Sequence, residues 1–276
     1  MSLQFASLNS GSNGNCYYVG NNDSAVLVDA GISCREIEKR LKQLELSINK
    51  IKAVFISHEH SDHVKGLAVL TNKHRIPVYI TEPTIKRCNF WLENELINTF
   101  LHHQAVDIGS LNIIPFSKHH DAADPYSFVI HHNDIHVGVF TDIGTVCENT
   151  IHHFKNCNAV FLESNYDVEM LENGNYPYHL KRRIRGGKGH LSNKEALELF
   201  INHRSDKLSH LLLSHLSEHH NHPELVYNLF NEVSNGVHVE VASRHGVGSM
   251  YEVGTPKKQE PFLSNARENS AQMTLF

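Results

Sequence analysis

The chain has 276 residues and a formal charge of -5, with 40% apolar and 20% charged residues. That length suits one large domain or two small ones, and no stretch reaches the roughly 18 uninterrupted apolar residues of a membrane span, so a transmembrane protein and a membrane partner are excluded. An acidic chain has no global attraction for nucleic acid, so any such partner must meet a local basic surface.

The opening, residues 1–7, reads as a buried strand, without the basic flank and apolar run of a secretion signal, and the expected compartment is the cytoplasm. The five cysteines, Cys16, Cys34, Cys88, Cys147 and Cys157, are odd in number and contain no C-x-x-C pair. They read as reduced, buried fillers, not as a disulfide framework or a thiolate zinc knuckle. The 23 histidines suggest metal chemistry, although pairs such as His102-His103 and His152-His153 stand in ordinary surroundings.

Short β-branched runs alternate with helical periodicity, the pattern of an α/β domain. In chain order the first strands are expected at 4–8, 16–19 and 25–28. A helix follows, marked by Ile37, Leu41 and Leu44, then a strand at 53–57 and one helix over 64–74. Strands follow at 78–81, 111–116, 127–131, 136–141 and 159–163. Ser192 with Glu195 is a capping-box pattern opening a helix through 196–202. A strand at 210–214, a helix after Pro223 and a strand at 237–241 complete a domain over 1–253. From Gly254 the chain turns to Pro, Lys, Gln, Ser, Asn and Glu, too polar to offset the entropy of ordering, and 254–276 reads as a flexible tail.

The decisive segment is His58-Glu59-His60-Ser61-Asp62-His63, an H-x-H-x-D-H motif directly after an apolar strand. In an extended turn, side chains two apart point the same way, so His58 and His60 can share one cation while Asp62 and His63 reach a second. Imidazole and carboxylate donors without thiolate suit zinc, manganese or iron with open coordination positions.

This motif resembles the hallmark of the metallo-β-lactamase-fold hydrolases, and further family motifs occur in order. Asp29 in Leu27-Val28-Asp29 matches the acid that orients the histidine loop. His120 in Lys118-His119-His120 matches the third histidine of the first metal; His119 offers a second register, and His120 is favoured. Asp142 in Phe140-Thr141-Asp142 matches the carboxylate bridging both metals, and His215 in Leu213-Ser214-His215 matches the last ligand of the second metal. His219, His220 and His222 are then bystanders. Residues 10–16, 163–167, 189–193 and 215–217 resemble the YycJ (WalJ) group, regarded as DNA exonucleases, over about residues 3 to 253. The resemblance implies a four-layer αββα sandwich, two divalent ions (Zn or Mn, with Fe as a further option), and phosphodiester hydrolysis from a 5′ end in DNA repair or replication. Asp62 is placed among both ligands and catalytic groups, and Asn165 on the substrate side. His190, just before the capped helix, matches a loop histidine that donates a proton or contacts phosphate; a structural cap residue is the plainer reading.

Lys181, Arg182, Arg183, Arg185 and Lys188 make the one dense basic stretch and lead to His190. It can steer DNA, or RNA, along the site, against the plain alternative of a solvated helix face. The Gly/Ser/Asn-rich segment 10–15 can offer backbone N–H groups to a phosphate, or simply form a tight turn. The final residues Gln272, Leu275 and Phe276 resemble the Q-x-x-L-F peptide that binds the β sliding clamp, against a terminal apolar pair without a partner. Two other classes compete with the nuclease: a small-molecule phosphodiesterase or lactonase on the same ligand set, and a metal-stabilised adaptor without turnover.

Overall fold

The expected strands all form in the computed structural model, which describes residues 2–254; the Gln272, Leu275 and Phe276 peptide lies outside the described residues. One seven-stranded sheet takes β1 (Ser2–Asn9), β2 (Cys16–Gly20), β3 (Ala25–Val28), β4 (Ile51–Phe55), β5 (Val78–Tyr79), β6 (Ile97–Asn98) and, on the far edge beside β1, β14 (Tyr251–Gly254). The second, also of seven strands, takes β7 (Val106–Ile108), β8 (Leu111–Ser117), β9 (Tyr126–His132), β10 (Ile135–Phe140), β11 (Ala159–Glu163), β12 (His210–Ser214) and β13 (His238–Val241) in spatial order β13-β12-β11-β10-β9-β8-β7. Each sheet is antiparallel in one half and parallel in the other: β3 to β6 run parallel, as do β10 to β13.

Alternation explains the layering. Leu3, Phe5, Tyr17, Val19, Phe55, Phe128, Phe161 and Leu212 point between the two sheets and fill one core. The opposite faces are covered by helices: α1 (Cys34–Gln43) and α3 (Leu67–His74) on the first sheet, and α5 (Glu148–Phe154), α8 (Asn193–His203) and α9 (Pro223–Asn231) on the second. Ile37, Leu41, Leu67 and Leu70 pack on Val54 and Ile56, while Phe154, Phe200 and Phe230 pack on Phe140 and Leu213. This is the expected four-layer αββα sandwich. The shorter helices are α2 (Ser61–Val64), α4 (Glu82–Ile85), α6 (Val168–Asn173) and α7 (Tyr178–Arg185). Among the described residues no helix is long and apolar enough to cross a membrane.

Several differences from the sequence expectation have local causes. The single helix expected over 64–74 is broken into α2 and α3 at Gly66, whose N–H donates to Ala30 O at 2.8 Å; a Cβ there would lie 1.9 Å from Ile32 O. The backbone therefore docks against the turn after β3 instead of continuing the helix. Strands β6, β7 and β14 escape the pattern because two to four residues carry too little periodicity; β14 is fixed by its pairing with β1, and Gly254, assigned to the tail, ends it. Cys16, Cys34 and Cys157 are buried as expected, whereas Cys88 and Cys147 are half-buried; all five are free.

Candidate metal centre

The parallel halves of both sheets end at one rim, and the motif histidines and acids gather on the turns and loops at that rim, the usual location of sites in α/β sheets. His58 follows β4 after two residues, and Asp62 and His63 ride on α2. Three rim residues bend back in the left-handed backbone region: Asp29 after β3 (φ 62°), Asp142 after β10 (φ 53°) and His215 after β12 (φ 56°). Asp and His tolerate this conformation better than most, yet it costs on the order of 1–3 kcal/mol per residue. The turn aims each side chain into the rim in place of continuing the strand. At Gly31 a Cβ would lie 1.7 Å from Asp62 O, so the turn after β3 and the histidine loop can touch only through a glycine.

Two groups of donors result. In the first, His58 Nε2 lies 3.0 Å and His120 Nε2 3.3 Å from His60 Nδ1. The outer nitrogens fix the tautomers: His58 Nδ1 is 2.8 Å from Ser57 Oγ, whose own proton goes to Asp29 Oδ2, and His120 Nδ1 donates to Gly189 O at 2.9 Å. The inner nitrogens of His58 and His120 thus present lone pairs to one point shared with His60. Such an arrangement is repulsive until a cation occupies it. Burial pushes the His120 pKa down to about 4 and takes His58 well below the ordinary imidazole range, so both stay unprotonated at neutral pH.

In the second group, His63 Nδ1 donates to Asp29 Oδ2 at 2.7 Å, turning Nε2 towards Asp142 Oδ2 at 3.1 Å and Asp62 Oδ2 at 3.4 Å. His215 Nε2 faces Asp62 Oδ2 at 3.4 Å, and its Nδ1 faces Glu163 Oε1 at 3.1 Å. Burial alone would lower both imidazoles, but Asp142, Asp29 and Asp62 hold His63 well above its usual range, and Asp142, Asp62 and Glu163 carry His215 up to about 10. The buried Asp142 Oδ2 makes no well-aligned hydrogen bond among the described residues, although His63 Nε2 is near. Asp142 Oδ1 lies 3.7 Å from His120 Nε2 and 3.6 Å from His215 Nδ1, so this carboxylate stands between the groups. Its orphaned oxygen, the converging lone pairs of the first group and the absence of thiolate from either fit two hard or borderline divalent cations: His58, His60 and His120 around one, and Asp62, His63 and His215 around the other.

His190 joins the rim, with Nδ1 2.8 Å from Glu163 Oε1 and its ring 5.2 Å from that of His215 and 5.4 Å from that of His120. The capping box expected after it is present, with Ser192 Oγ accepting from Glu195 N, and it fixes the start of α8. Of the basic stretch, α7 and the following turn place all five cations on the surface beside the rim. Arg183 Nε pairs with Asp121 at 2.5 Å, Arg185 pairs with Glu172, and Lys181 donates to Glu172 O; Arg182 and Lys188 have no ion pair among the described residues. His119 does not enter either donor group, and His219, His220 and His222 stay outside as well.

One expectation is corrected and another is narrowed. Asn165, placed on the substrate side, is buried and donates from Nδ2 to His215 O at 2.7 Å, so it props the ligand strand end. Within the 10–15 segment the N–H groups of Ser10, Gly11, Gly14 and Asn15 are committed, to Ser243 O, Asn15 Oδ1, Gly11 O and Asp62 O respectively, as in a tight turn, which leaves only the exposed Ser12 and Asn13 to face a phosphate. The same loop contributes a side chain that the sequence did not flag, Asn15, whose Nδ2 is 3.2 Å from Asp62 Oδ2 and 3.1 Å from His63 Nε2. Glu163 was likewise given no role. It is fully buried, takes the Ile143 and Leu191 N–H groups on Oε2, and holds His190 and His215 on Oε1. Its signal was its position, an acid at the end of an apolar strand, as Asp29 nearly is. Buried Lys118 donates to Thr141 O at 2.6 Å and steadies the turn that carries Asp142.

Comparison with known proteins places these features in a family. A model of the metallo-beta-lactamase superfamily matches residues 10–145. The chain is 36% identical over 256 residues to exodeoxyribonuclease YycJ of Bacillus anthracis, covering 92% of this chain and 95% of that one. It is 30% identical over 230 residues to exodeoxyribonuclease WalJ of Streptococcus pneumoniae, covering 82% and 86%. Among solved structures it resembles the metallo-beta-lactamase fold protein YhfI from Bacillus subtilis, with a TM-score of 0.69 at 19% identity over 91% of this chain and 99% of that one.

Proposed function

The chain belongs to the metallo-beta-lactamase superfamily, with the exodeoxyribonucleases YycJ and WalJ as relatives along most of its length, and from that premise we propose that it is a two-metal DNA exonuclease. The observation that carries the reading is the convergence of two donor groups on one rim with a shared, orphaned carboxylate between them. When bound, a pair of divalent ions would lower the pKa of a water and neutralise charge developing on the phosphoryl oxygens. Zn and Mn both suit the donors, and Fe remains compatible.

His58, His60 and His120 would hold one ion, Asp62, His63 and His215 the other, and Asp142 would serve both. Asp29 keeps His63 Nε2 turned inward by taking its other proton. Glu163 does the same for His190, so its Nε2 faces the rim as an acceptor, and with a second proton on the ring, the charge met by Glu163, Nε2 would pass that proton to the departing oxygen or bind phosphate. Asn15 offers an amide N–H beside Asp62. Arg182 and Lys188, exposed and without acid partners among the described residues, are the cations that would track the strand, with Lys181, Arg183 and Arg185 adding charge behind them. Degradation from a 5′ end, a setting in DNA repair or replication, and a cytoplasmic location belong to the same proposal. So do the division into a catalytic domain, 1–253, and a tail, 254–276, that tethers the enzyme to the β sliding clamp through Gln272, Leu275 and Phe276. Clamp binding predicts that Phe276→Ala abolishes capture of the full chain on immobilised clamp; equal capture removes that element alone. The nuclease reading is tested by metal-dependent shortening of labelled DNA, for which hydrolysis of small diesters without DNA degradation would favour the phosphodiesterase alternative.

A further inference from the structure

Beside the donor groups lies a concavity of about 380 Å3 that the mechanism above leaves unused. Leu216, Pro223, Val241 and Ala242 form its apolar walls, and polar groups, among them Glu218, Asn221, Ser243 and Arg244, complete the lining. Two links tie it to the centre. Ser10 lines it, and Ser10 Oγ accepts the backbone N–H of His215 at 2.8 Å; Leu216, on the wall, is the next residue in the chain after His215. The loop starting at Ser10 is therefore a shared partition, since its other end, Asn15, reaches Asp62.

The mixed lining of the cavity suits a ligand with apolar faces and hydrogen-bonding edges. Arg244 is held by its rim: Nη1 pairs with Glu218 at 2.6 Å, while Nη2 donates to Ser12 Oγ at 3.2 Å and Leu216 O at 3.4 Å. Its charge is met by Glu218, which disfavours a phosphate in the cavity, while the guanidinium forms part of the lining and offers a flat group for contact with a ring. Ser243 Oγ accepts the N–H groups of His245 and Gly246, both at 3.1 Å, so its own proton is available to an acceptor on a ligand. A volume of this size is within the range of small-molecule sites, roughly 300–1,000 Å3. A nucleotide carries its base one sugar away from its phosphate, and the cavity adjoins the donor groups through Ser10 and Leu216.

We propose that this cavity receives the nucleobase of the terminal nucleotide while the adjoining phosphodiester lies at the donor groups. The proposal rests on the nuclease reading and adds the element that grips the strand end. Stacking against Arg244 and contact with Leu216 and Val241 are open to any base, so recognition is of a base and not of a sequence.

The test compares two single-stranded oligonucleotides with the metal-loaded full chain, identical except that one has an abasic residue at the attacked end. Wild type is expected to release the first nucleotide from the intact strand at least ~10-fold faster, the scale of one stacked base. Filling the cavity with Ala242→Phe brings that ratio to about one; Val241→Phe, at a half-buried position, is the second filling variant should the first not fold. Equal rates on both strands by wild type, or an unchanged ratio in a folded filling variant, overturns the base pocket while leaving the nuclease standing. Failure of wild type to degrade the intact strand with Mn2+ or Zn2+ overturns the nuclease reading and the pocket with it.

Discussion

The two halves of the centre use the same elements and opposite electrostatics. Each takes residues from the loop and α2 after β4 and closes with a histidine from the second sheet, His120 in one and His215 in the other. The His58, His60 and His120 half is imidazole alone, and burial drives the protons off His58 and His120. The Asp62, His63 and His215 half is set among Asp29, Asp142 and Glu163, and the carboxylates hold its imidazole protons in place. A histidine cluster is thus not one kind of object: the neighbouring acids decide whether an incoming cation meets ready lone pairs or must displace protons. Metal uptake by the carboxylate-rich half should release more protons than uptake by the other.

The strongest way to break this contrast is to remove the group common to both halves. Asp142→Ala should lower DNA degradation by at least ~10^3-fold, because several kcal/mol of charge stabilisation are lost, and should reduce metal content measured by elemental analysis. Retention of near-normal turnover would show that the halves do not act through a shared carboxylate. Glu163→Gln addresses one half only. It keeps the shape but removes the charge that orients His190 and His215, so a fall of about 10–100-fold in activity and weaker binding of one of two metal equivalents are expected. Equal weakening of both equivalents contradicts the assignment.

The proton contrast has a pH signature in chelator-stripped protein. His120 is lowered from 6.5 to about 4, and His58 is lowered too, so as pH falls through that window the unfolded chain binds protons that the folded chain refuses, and stability drops. His215 is raised to about 10, so its contribution is complete below about 6.5 and is lost as pH rises towards 10. Urea midpoints should therefore peak near neutrality and decline on both sides, whereas a midpoint that climbs steadily from pH 7 to 4.5 would reverse the sign assigned to His58 and His120. The smallest effect belongs outside both halves. Arg182→Ala with Lys188→Ala should raise KM for DNA a few-fold with kcat unchanged and flatten the salt dependence by about one per residue; an unaltered salt slope would leave α7 as a solvated face.

Both halves were legible in the sequence in the same part and hidden in the same part. His58, His60, Asp62 and His63 could be read because one loop carries them at short spacing. Asp29, Asp142 and His215 are single turn residues, visible through family resemblance, and what makes them converge is the left-handed backbone at each strand end, which no spacing reveals. Glu163 and Asn15 were missed because their value is tertiary. A strand-end acid becomes a support only when the Gly189–His190 turn and β12 arrive beside it, and Asn15 faces Asp62 only because Gly31 lets two loops touch. The α/β class was legible because short β-branched runs alternate with helical periodicity, a local record of burial, whereas the four layers were visible through the family resemblance. The short edge strand β14 records nothing until β1 pairs with it.

The central claim is tested most directly by following 5′- and 3′-labelled single- and double-stranded DNA with added Mn2+ or Zn2+, beside a matched His60→Ala protein. The account predicts progressive shortening from one end by wild type and its loss in the variant. Equal activity in both proteins, or none in either with both folded, would contradict it.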